Sequence, residues 1–315
     1  MKKRESFLIS PTLLKFIFIL IGVLCLSPWI SPPIALLLGI VFAQLGPHPF
    51  AAESQKYTSI LLKLSVIGLG FGMKITEAVQ AGKQGILFTV GTIFFTLLIG
   101  FLLGKFLKVE KITSYLIAGG TAICGGSAIA ALSPVIKAKQ EQISVALGVI
   151  FILNALALFI FPYVGTLLNM NQTDFGIWSA IAIHDTSSVV GAAAKYGDQA
   201  LQTATTLKLA RALWIIPVAF ISTLLFKSKG VKIQIPYFIG LFIVAIFLNS
   251  YLPFLDKISP HIVTFSKRAL TLTLFLIGTG LSHKMLKTVG LRPIFLGSIL
   301  WILISIGTLL LIIYK

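Results

Sequence analysis

Eleven apolar runs constrain this chain more than any other feature. Most approach the roughly 20 residues that an α-helix needs to cross a bilayer core about 30 Å thick. Hydrophobic residues make up 57% of the sequence and charged residues only 11%, against about 25% charged residues in soluble domains. The pattern predicts an all-α, polytopic membrane protein of about eleven transmembrane helices, folded as one domain over residues 1–315. The runs lie near residues 13–28, 34–46, 58–73, 86–104, 115–136, 143–168, 175–196, 203–226, 235–253, 264–281 and 293–313.

The chain is strongly basic, with a formal net charge of +17 from 26 Lys and Arg against 9 Asp and Glu. In a soluble protein this excess would indicate nucleic-acid binding, because clustered cations displace phosphate counterions. Here the cations lie mostly between apolar runs, where they are typical of topology determinants and lipid-headgroup contacts. We therefore expect the lipid bilayer, and no nucleic acid, as a partner.

The loop cations also predict an orientation. If eleven full spans are threaded with the N-terminus in the cytoplasm, the cytoplasmic loops receive Lys105, Lys108, Lys111, Lys227, Lys229, Lys232, Lys284, Lys287 and Arg292. The opposite side receives Lys74, Lys83, Lys137, Lys139, Lys195, Lys257 and Lys315. Since cytoplasmic loops carry the excess of Lys and Arg, we expect a cytoplasmic N-terminus and an external C-terminus.

The N-terminal segment resembles a secretory signal without a cleavage site. Basic residues at positions 2–4 precede an apolar stretch, but no small-x-small motif follows. Residues 1–33 are therefore expected to form a retained extra helix. The second run is short and follows a Ser-Pro-Pro turn at 31–33, so it is either tilted or partly re-entrant. Cys25 and Cys124 both fall in apolar runs and form no CxxC pair, which predicts neither a disulfide nor a metal site.

Two short internal similarities suggest a repeat. One pairs Gly70, Gly72 and Gly82 with Gly278, Gly280 and Gly290, and the other pairs Ala122, Ile123, Ser127 and Ile129 with Ala182, Ile183, Ser187 and Val189. An inverted-topology repeat of five helices, over 34–168 and 175–315, would fit eleven runs and would make the fifth and tenth runs equivalent. The alternative is that small residues recur wherever helices pack closely.

The fifth run, IAGGTAICGGSAIAALSPVI, contains two glycine pairs at membrane depth. Paired glycines weaken a helix, and lost backbone hydrogen bonds are tolerated in a membrane only where protein or water satisfies them. We therefore predict a discontinuous helix, whose second half presents free N–H groups to an anion. A close-packing face of small residues is the alternative. The candidate residues are Gly119, Gly120, Thr121, Cys124, Gly125, Gly126 and Ser127.

The seventh run places five consecutive polar residues, His184, Asp185, Thr186, Ser187 and Ser188, in its middle. Buried ionisable groups in membranes usually mark a substrate or proton pathway, because burying them is costly. Eight of the nine acidic residues fall in or beside predicted loops, and Asp185 alone lies deep. Its role is either proton coupling together with His184, or structural, as a helix cap or an ion-pair partner.

The eighth run carries Lys208 and Arg211, which are three residues apart and share one helix face. Either cation could extend to a membrane interface, since both lie within two to three turns of the start of the run. If they point inward, they add positive charge near Asp185 and His184.

Enzyme signatures do not occur in the sequence. There is no HExxH helix, Walker A loop or GxSxG elbow. We therefore expect no enzyme activity, no cofactor and no metal. A remaining alternative from another class is a non-transporting membrane protein, such as an assembly partner or an intramembrane enzyme that uses Ser127 or His184.

Three ordered stretches, GTAICGGSAIAA, IHDT and KLAR, resemble a family of conserved hypothetical bacterial membrane proteins designated sulfate exporters. The resemblance implies a bacterial inner-membrane protein related to sodium/proton antiporters and bile-acid symporters, with an inverted five-helix repeat and two crossing, unwound helices. It points to residues 119–127, residues 184–186, Lys208 and Arg211 as a shared core. Many of these relatives have Ala-Gln after IHDT where this chain has Ser187 and Ser188, which puts substrate preference in question.

The expected function is secondary-active transport of a small inorganic or organic anion, with sulfate or sulfite as the substrate that the resemblance implies. Half-helix N-termini, hydroxyl groups and the two cations would bind an oxyanion, while His184 and Asp185 would carry a coupling proton. A sodium/proton antiporter is the alternative within transport, although a single carboxylate at membrane depth provides few ligands for a cation. Proton or sodium coupling and a homodimer both remain open.

Overall fold

The computed structural model describes residues 10–226, 237–281 and 289–314, and within these ranges the chain is all-helical, without a β-strand. The predicted all-α class is therefore confirmed. The helices are α1 (Pro11–Cys25), α2 (Pro32–Leu45), α3 (Ala51–Leu69), α4 (Ile75–Phe106), α5 (Lys111–Ala122), α6 (Gly126–Val135), α7 (Gln140–Leu167), α8 (Gln172–Ala182), α9 (Thr186–Tyr196), α10 (Asp198–Ala212), α11 (Ile215–Leu225), α12 (Tyr237–Tyr251), α13 (Ser259–Thr279) and α14 (Leu291–Ile313).

Some of the predictions about charge fall outside the described residues. These concern the basic N-terminal residues and Lys227, Lys229, Lys232, Lys284, Lys287 and Lys315, together with the side chain of Lys83.

Five helical segments are long and apolar enough to cross a membrane. They are Thr89–Phe106, Gln140–Leu167, Asp198–Leu225, Ser259–Thr279 and Leu291–Ile313, of which the third joins α10 and α11. Large apolar side chains on their outer faces are exposed, for example Phe101, Phe220 and Ile302. The second run forms α2, whose 14 residues extend about 21 Å, short of a bilayer core of about 30 Å. A multi-pass membrane protein fits these lengths.

The fifth run folds back on itself as a helical hairpin, which we call hairpin 1 (α5 and α6, residues 111–135). A Cβ atom at Gly119 would lie 2.6 Å from Leu132 Cδ1, so the two helices pack side by side. At its base, the side chain of Gln142, just after the hairpin, donates a hydrogen bond to Glu110, just before it. Both ends of hairpin 1 are therefore at the same end of the molecule, which we call the first-hairpin end.

The seventh run forms the matching hairpin 2 (α8 and α9, residues 172–196). The rings of Phe175, at the start of α8, and Tyr196, at the end of α9, stack with centroids 3.8 Å apart. The Tyr196 hydroxyl also donates a 2.6 Å hydrogen bond to the carbonyl of Met170. Since α7 runs away from the first-hairpin end before hairpin 2 begins, the base of hairpin 2 defines the opposite, second-hairpin end.

These hairpins correct two expectations. The fifth and seventh runs are not single spans, and their halves are not the crossing, unwound helices that the resemblance implied. Because hairpin 1 returns to its starting end, Lys137 and Lys139 lie at the first-hairpin end with Lys105, Lys108 and Lys111, and not opposite them as the threading of eleven full spans predicted. The physical reason is that the break within each run reverses the chain instead of merely bending it.

The tenth run forms α13, which continues through Gly278 without a break. Gly278 instead allows close packing, since a Cβ atom there would lie 2.9 Å from the Cα atom of Gly39 in α2. The predicted equivalence of the fifth and tenth runs is therefore wrong, because one is a hairpin and the other a continuous helix. The second similarity does fall on matching places, since Ile123 and Ile183 occupy the breaks of the two hairpins.

Candidate functional site

The tips of the two hairpins meet inside the protein. Gly125, in the tip of hairpin 1, has φ +62°, a left-handed conformation that glycine adopts without a steric penalty. A Cβ atom there would lie 3.2 Å from both the Cα and the Cβ atoms of Asp185, in the tip of hairpin 2. The predicted glycine break and the predicted polar segment are thus in direct contact.

Each tip joins a helix C-terminus to a helix N-terminus. Helices α5 and α8 end at the tips with carbonyl groups that have no partner within their own helix, and α6 and α9 begin there with N–H groups in the same situation. The N-termini carry partial positive charge and the C-termini partial negative charge. Four half-helix ends of both polarities therefore converge on one buried region.

Lys208 and Arg211 bind the two C-termini. Their exposed fractions are 0% and 1%, so neither extends to a membrane interface. Lys208 Nζ donates to the carbonyls of Ile183 at 2.7 Å and Ala180 at 3.3 Å. Arg211 donates through Nε to the carbonyl of Ala122 in α5 at 2.6 Å and through Nη1 to that of Ile181 in α8 at 3.0 Å.

Asn154 of α7 holds the break in hairpin 2. Its Oδ1 accepts hydrogen bonds from the backbone N–H groups of His184 at 3.1 Å and Asp185 at 3.2 Å. Sequence reasoning did not include Asn154 in the site, although a lone buried amide in an apolar run indicated a buried partner. Its contacts make it the residue that fixes where α8 ends and α9 begins.

Asp185 caps α9. Its carboxylate accepts hydrogen bonds from the backbone N–H of Ser187, at 3.1 Å, and from the Ser187 hydroxyl. It forms no ion pair within 4.0 Å with Lys208 or Arg211, and the ion pair in the described part of the chain is Lys267–Asp198. Of the predicted structural roles for Asp185, the helix cap is therefore present and the ion pair is not.

Several polar atoms at the tips are buried without a hydrogen-bond partner. They include both ring nitrogens of His184, Thr121 Oγ1, Asn154 Nδ2, Thr205 Oγ1 and Arg211 Nη2. Buried polar groups are nearly always paired with protein or ordered water, so a cluster of unpaired ones indicates where water or a ligand binds. The acidic and basic side chains buried among the described residues are His184, Asp185, Lys208 and Arg211, a set with one carboxyl group and three basic side chains.

The remaining predicted site residues separate into two groups. Cys124, Gly126, Thr186 and Ser187 lie in the tips or in the first turns after them, and Cys124 is within electrostatic reach of Lys208 and Arg211. Gly119 and Gly120 lie inside α5, where they make room for Leu132 and Ile129 and do not break the helix. Ser127 is on the exposed face of α6 and is not part of the buried cluster.

Two adjoining cavities at the second-hairpin end, about 420 Å³ and 130 Å³ in volume, form what we call the vestibule. They share Met73 and Gln202, and the smaller one reaches Thr205, one helical turn before Lys208 on α10. The polar lining was not predicted, because Asp198, Gln199 and Gln202 precede the eighth apolar run and the sequence does not show which helices face them. The polar lining residues are Glu77, Gln80, Thr173, Asp198, Gln199, Gln202, Thr203, Thr205 and Lys267.

Together, the apolar spans and the buried hairpin tips define a multi-pass helical membrane protein with a polar centre. Residues 12–297 match the family model described as Conserved hypothetical protein 698. The chain belongs to this family, which confirms the predicted kinship with conserved membrane proteins of bacteria.

Close relatives carry the designation UPF0324 membrane protein. One from Photobacterium profundum is 53% identical over 93% of this chain and 90% of its own length. Another from Bacteroides thetaiotaomicron is 51% identical over 96% of this chain and 92% of its own, and one from Shewanella oneidensis is 50% identical over 95% of both chains. No solved structure matches the chain.

Proposed function

We propose that this protein is a secondary-active transporter of small anions that binds its substrate between the hairpin tips. The observation that carries the proposal is the pair of fully buried cations, Lys208 and Arg211, beside a single buried carboxylate. Unpaired charge at membrane depth is costly and usually functional. A bound anion would balance the second cation.

The hydrogen-bonding groups at the tips favour an oxyanion. Thr121 Oγ1, Arg211 Nη2 and the His184 ring have free hydrogen-bonding capacity, and the N-cap of α6, Gly125, offers no side chain to its first N–H groups. Backbone N–H groups at a helix N-terminus bind sulfate-like and carboxylate groups well. Sulfate or sulfite is the proposed substrate, with His184 and Asp185 carrying a coupling proton.

Two observations disfavour the alternative of a sodium/proton antiporter. Antiport would need carboxylates that bind and exchange cations, but Asp185 is the one carboxylate buried among the described residues, and its Oδ2 accepts two hydrogen bonds from Ser187. The C-terminal carbonyls of α5 and α8, which would attract a cation, already bind Lys208 and Arg211. An anion carrier accounts for both arrangements. The other alternative, a non-transporting membrane protein, does not explain a cluster of unpaired buried polar atoms at the hairpin tips.

The distribution of cations supports a bacterial inner-membrane protein with the first-hairpin end in the cytoplasm. Five lysines lie at that end: Lys105, Lys108, Lys111, Lys137 and Lys139. Cytoplasmic loops carry the excess of Lys and Arg in membrane proteins, which favours the cytoplasm for this end. The vestibule is then on the outside, and its smaller cavity is lined by Thr205, one helical turn from Lys208.

A repeat of inverted topology would allow alternating access around the fixed tips. Hairpin 1 followed by α7, and hairpin 2 followed by α10 and α11, enter from opposite ends. With the predicted repeat boundaries, 34–168 and 175–315, hairpin 1 is the fourth run of the first repeat and hairpin 2 is the first run of the second. The hairpins therefore do not correspond at those boundaries, and we propose the inversion for the two units that each begin with a hairpin.

Transport of labelled sulfate and sulfite into proteoliposomes tests the proposal. In Arg211→Lys the charge remains but Nη2 is lost, and we expect uptake to fall by about 30-fold or more, since a broken buried charge contact costs about 2–5 kcal/mol. Exposed Lys195→Ala is the matched control and should transport normally. Sodium-driven proton movement without any oxyanion movement would overturn the proposal.

A further inference from the structure

The two buried cations occupy positions where many carriers hold a free cation. In secondary transporters, unwound carbonyls and half-helix C-termini coordinate the coupling Na⁺. Here the corresponding carbonyls, at Ala122, Ala180, Ile181 and Ile183, accept their hydrogen bonds from side chains of α10.

We infer that Lys208 and Arg211 are tethered substitutes for a coupling cation, so that the hairpin tips need no Na⁺. This inference rests on the proposed transport function for its physiological meaning, but its structural content concerns only cation binding at the tips. The Lys208 ammonium bridges two carbonyls of one break, and the Arg211 guanidinium bridges α5 and α8. Each thus places positive charge at a partial negative helix end. The two helix N-termini at the tips offset these two C-termini in sum, so the positive surplus over Asp185 that an anion would balance remains.

The surroundings of Lys208 support this assignment. Its side chain is completely buried, and its hydrogen bonds go to carbonyl groups and not to a carboxylate. The neighbouring Asp185 carboxylate is engaged by Ser187. A lysine that served only as a counter-ion for Asp185 would contact it, so the main task of Lys208 is to bind the end of α8.

Removing the tether should restore a requirement for a free cation. Lys208→Ala deletes the ammonium and three of the four carbons of its stem and leaves a buried space next to two carbonyls. A small cation such as Na⁺ or ethylammonium should then bind there and stabilise the variant. In Arg211→Ala the vacated site is planar and matches guanidinium better than ethylammonium.

The experiment measures the Tm of the purified full-length protein in chloride salts of choline, Na⁺, ethylammonium and guanidinium at equal low ionic strength. We expect no difference between Na⁺ and choline for the wild type. Lys208→Ala should gain about 3 °C with Na⁺ or ethylammonium relative to choline, as expected for a ligand well above its Kd. Arg211→Ala should respond to guanidinium, and Lys195→Ala to none of these cations.

Two results would overturn the inference. One is a wild-type Tm, or wild-type anion uptake, that depends on Na⁺. The other is a folded Lys208→Ala that responds to neither small cation. If that variant does not fold, Lys208→Ser, which is uncharged and leaves nearly the same space open, takes its place. The experiment distinguishes failure of this inference from failure of the transport proposal. Cation responses without anion uptake would contradict the transport proposal alone. Na⁺-dependent anion uptake would contradict this inference alone.

Discussion

Hairpins 1 and 2 reach the same place in the protein with different chemistry. The tip of hairpin 1 depends on backbone freedom, with Gly125 at φ +62° and no side-chain cap on α6. The tip of hairpin 2 depends on side chains, with Asp185 capping α9 and Asn154 binding the break from α7. Hairpin 1 therefore offers N–H groups without a side-chain cap, while hairpin 2 contributes the ionisable groups.

The largest expected effect comes from breaking the glycine tip. Gly125→Ala adds a Cβ atom at positive φ, 3.2 Å from Asp185 and from Ile150. We expect a loss of roughly 2–4 kcal/mol in stability from backbone strain and overpacking, measured as a fall in Tm. The neighbouring Gly126→Ala is the control, because its Cβ would meet no atom closer than 3.6 Å. Equal effects of both substitutions would contradict the special role of Gly125.

A somewhat smaller effect is expected when hairpin 2 loses the Asn154 amide that binds its break. Asn154→Ala leaves the N–H groups of His184 and Asp185 without their acceptor, which costs about 1–3 kcal/mol. Asn154→Asp keeps an acceptor oxygen in place and serves as the control. Hydrogen exchange at His184 and Asp185 would report the change locally. Unchanged protection of both amides in Asn154→Ala would show that another group holds the break.

The smallest effect on stability is expected for Asp185→Asn. The same substitution should have a clear effect on the coupling of anion uptake to a proton gradient. Asparagine is as good an N-cap as aspartate, so we expect a change in stability within about 0.5 kcal/mol. The charge is lost, however, and uptake of the anion should no longer depend on a proton gradient. Proteoliposome uptake with and without a pH gradient measures this. Asp185→Ala, which loses both cap and charge, should also be less stable, by about 1 kcal/mol.

Much of the fold followed from the sequence, because apolar runs and their polar interruptions are local features. The break near Gly125 was predicted from glycine pairs, and the polar segment at 184–188 was predicted as a site at membrane depth, with a helix cap as an alternative role for Asp185. Their consequence was not, since a broken helix can continue across the bilayer or turn back, and only packing such as Gly119 on Leu132 decides between them. This is why Lys137 and Lys139 were assigned to the wrong end.

The candidate site was predicted in its charges but not in its contacts. Lys208 and Arg211 share a helix face, as their spacing indicated, and both point inward. Their partners are main-chain carbonyls, which a sequence cannot single out, because every residue has one. Asn154 was missed for a related reason. Its hydrogen-bond partners are backbone N–H groups at a chain break 30 residues away, and the sequence does not show that the two are in contact. Ser127 had the right residue type and position in the chain, but helix rotation exposes it.

The contact of Gly39 with Gly278 has a mechanical consequence. A Cβ on either glycine would lie 2.9 Å from the Cα of the other, so neither a lipid tail nor water fits between α2 and α13 at this point. Small residues at a helix crossing let the two backbones approach this closely. The pair therefore joins α2 and α13 into one unit that leaves no room for a larger side chain on either helix at the crossing.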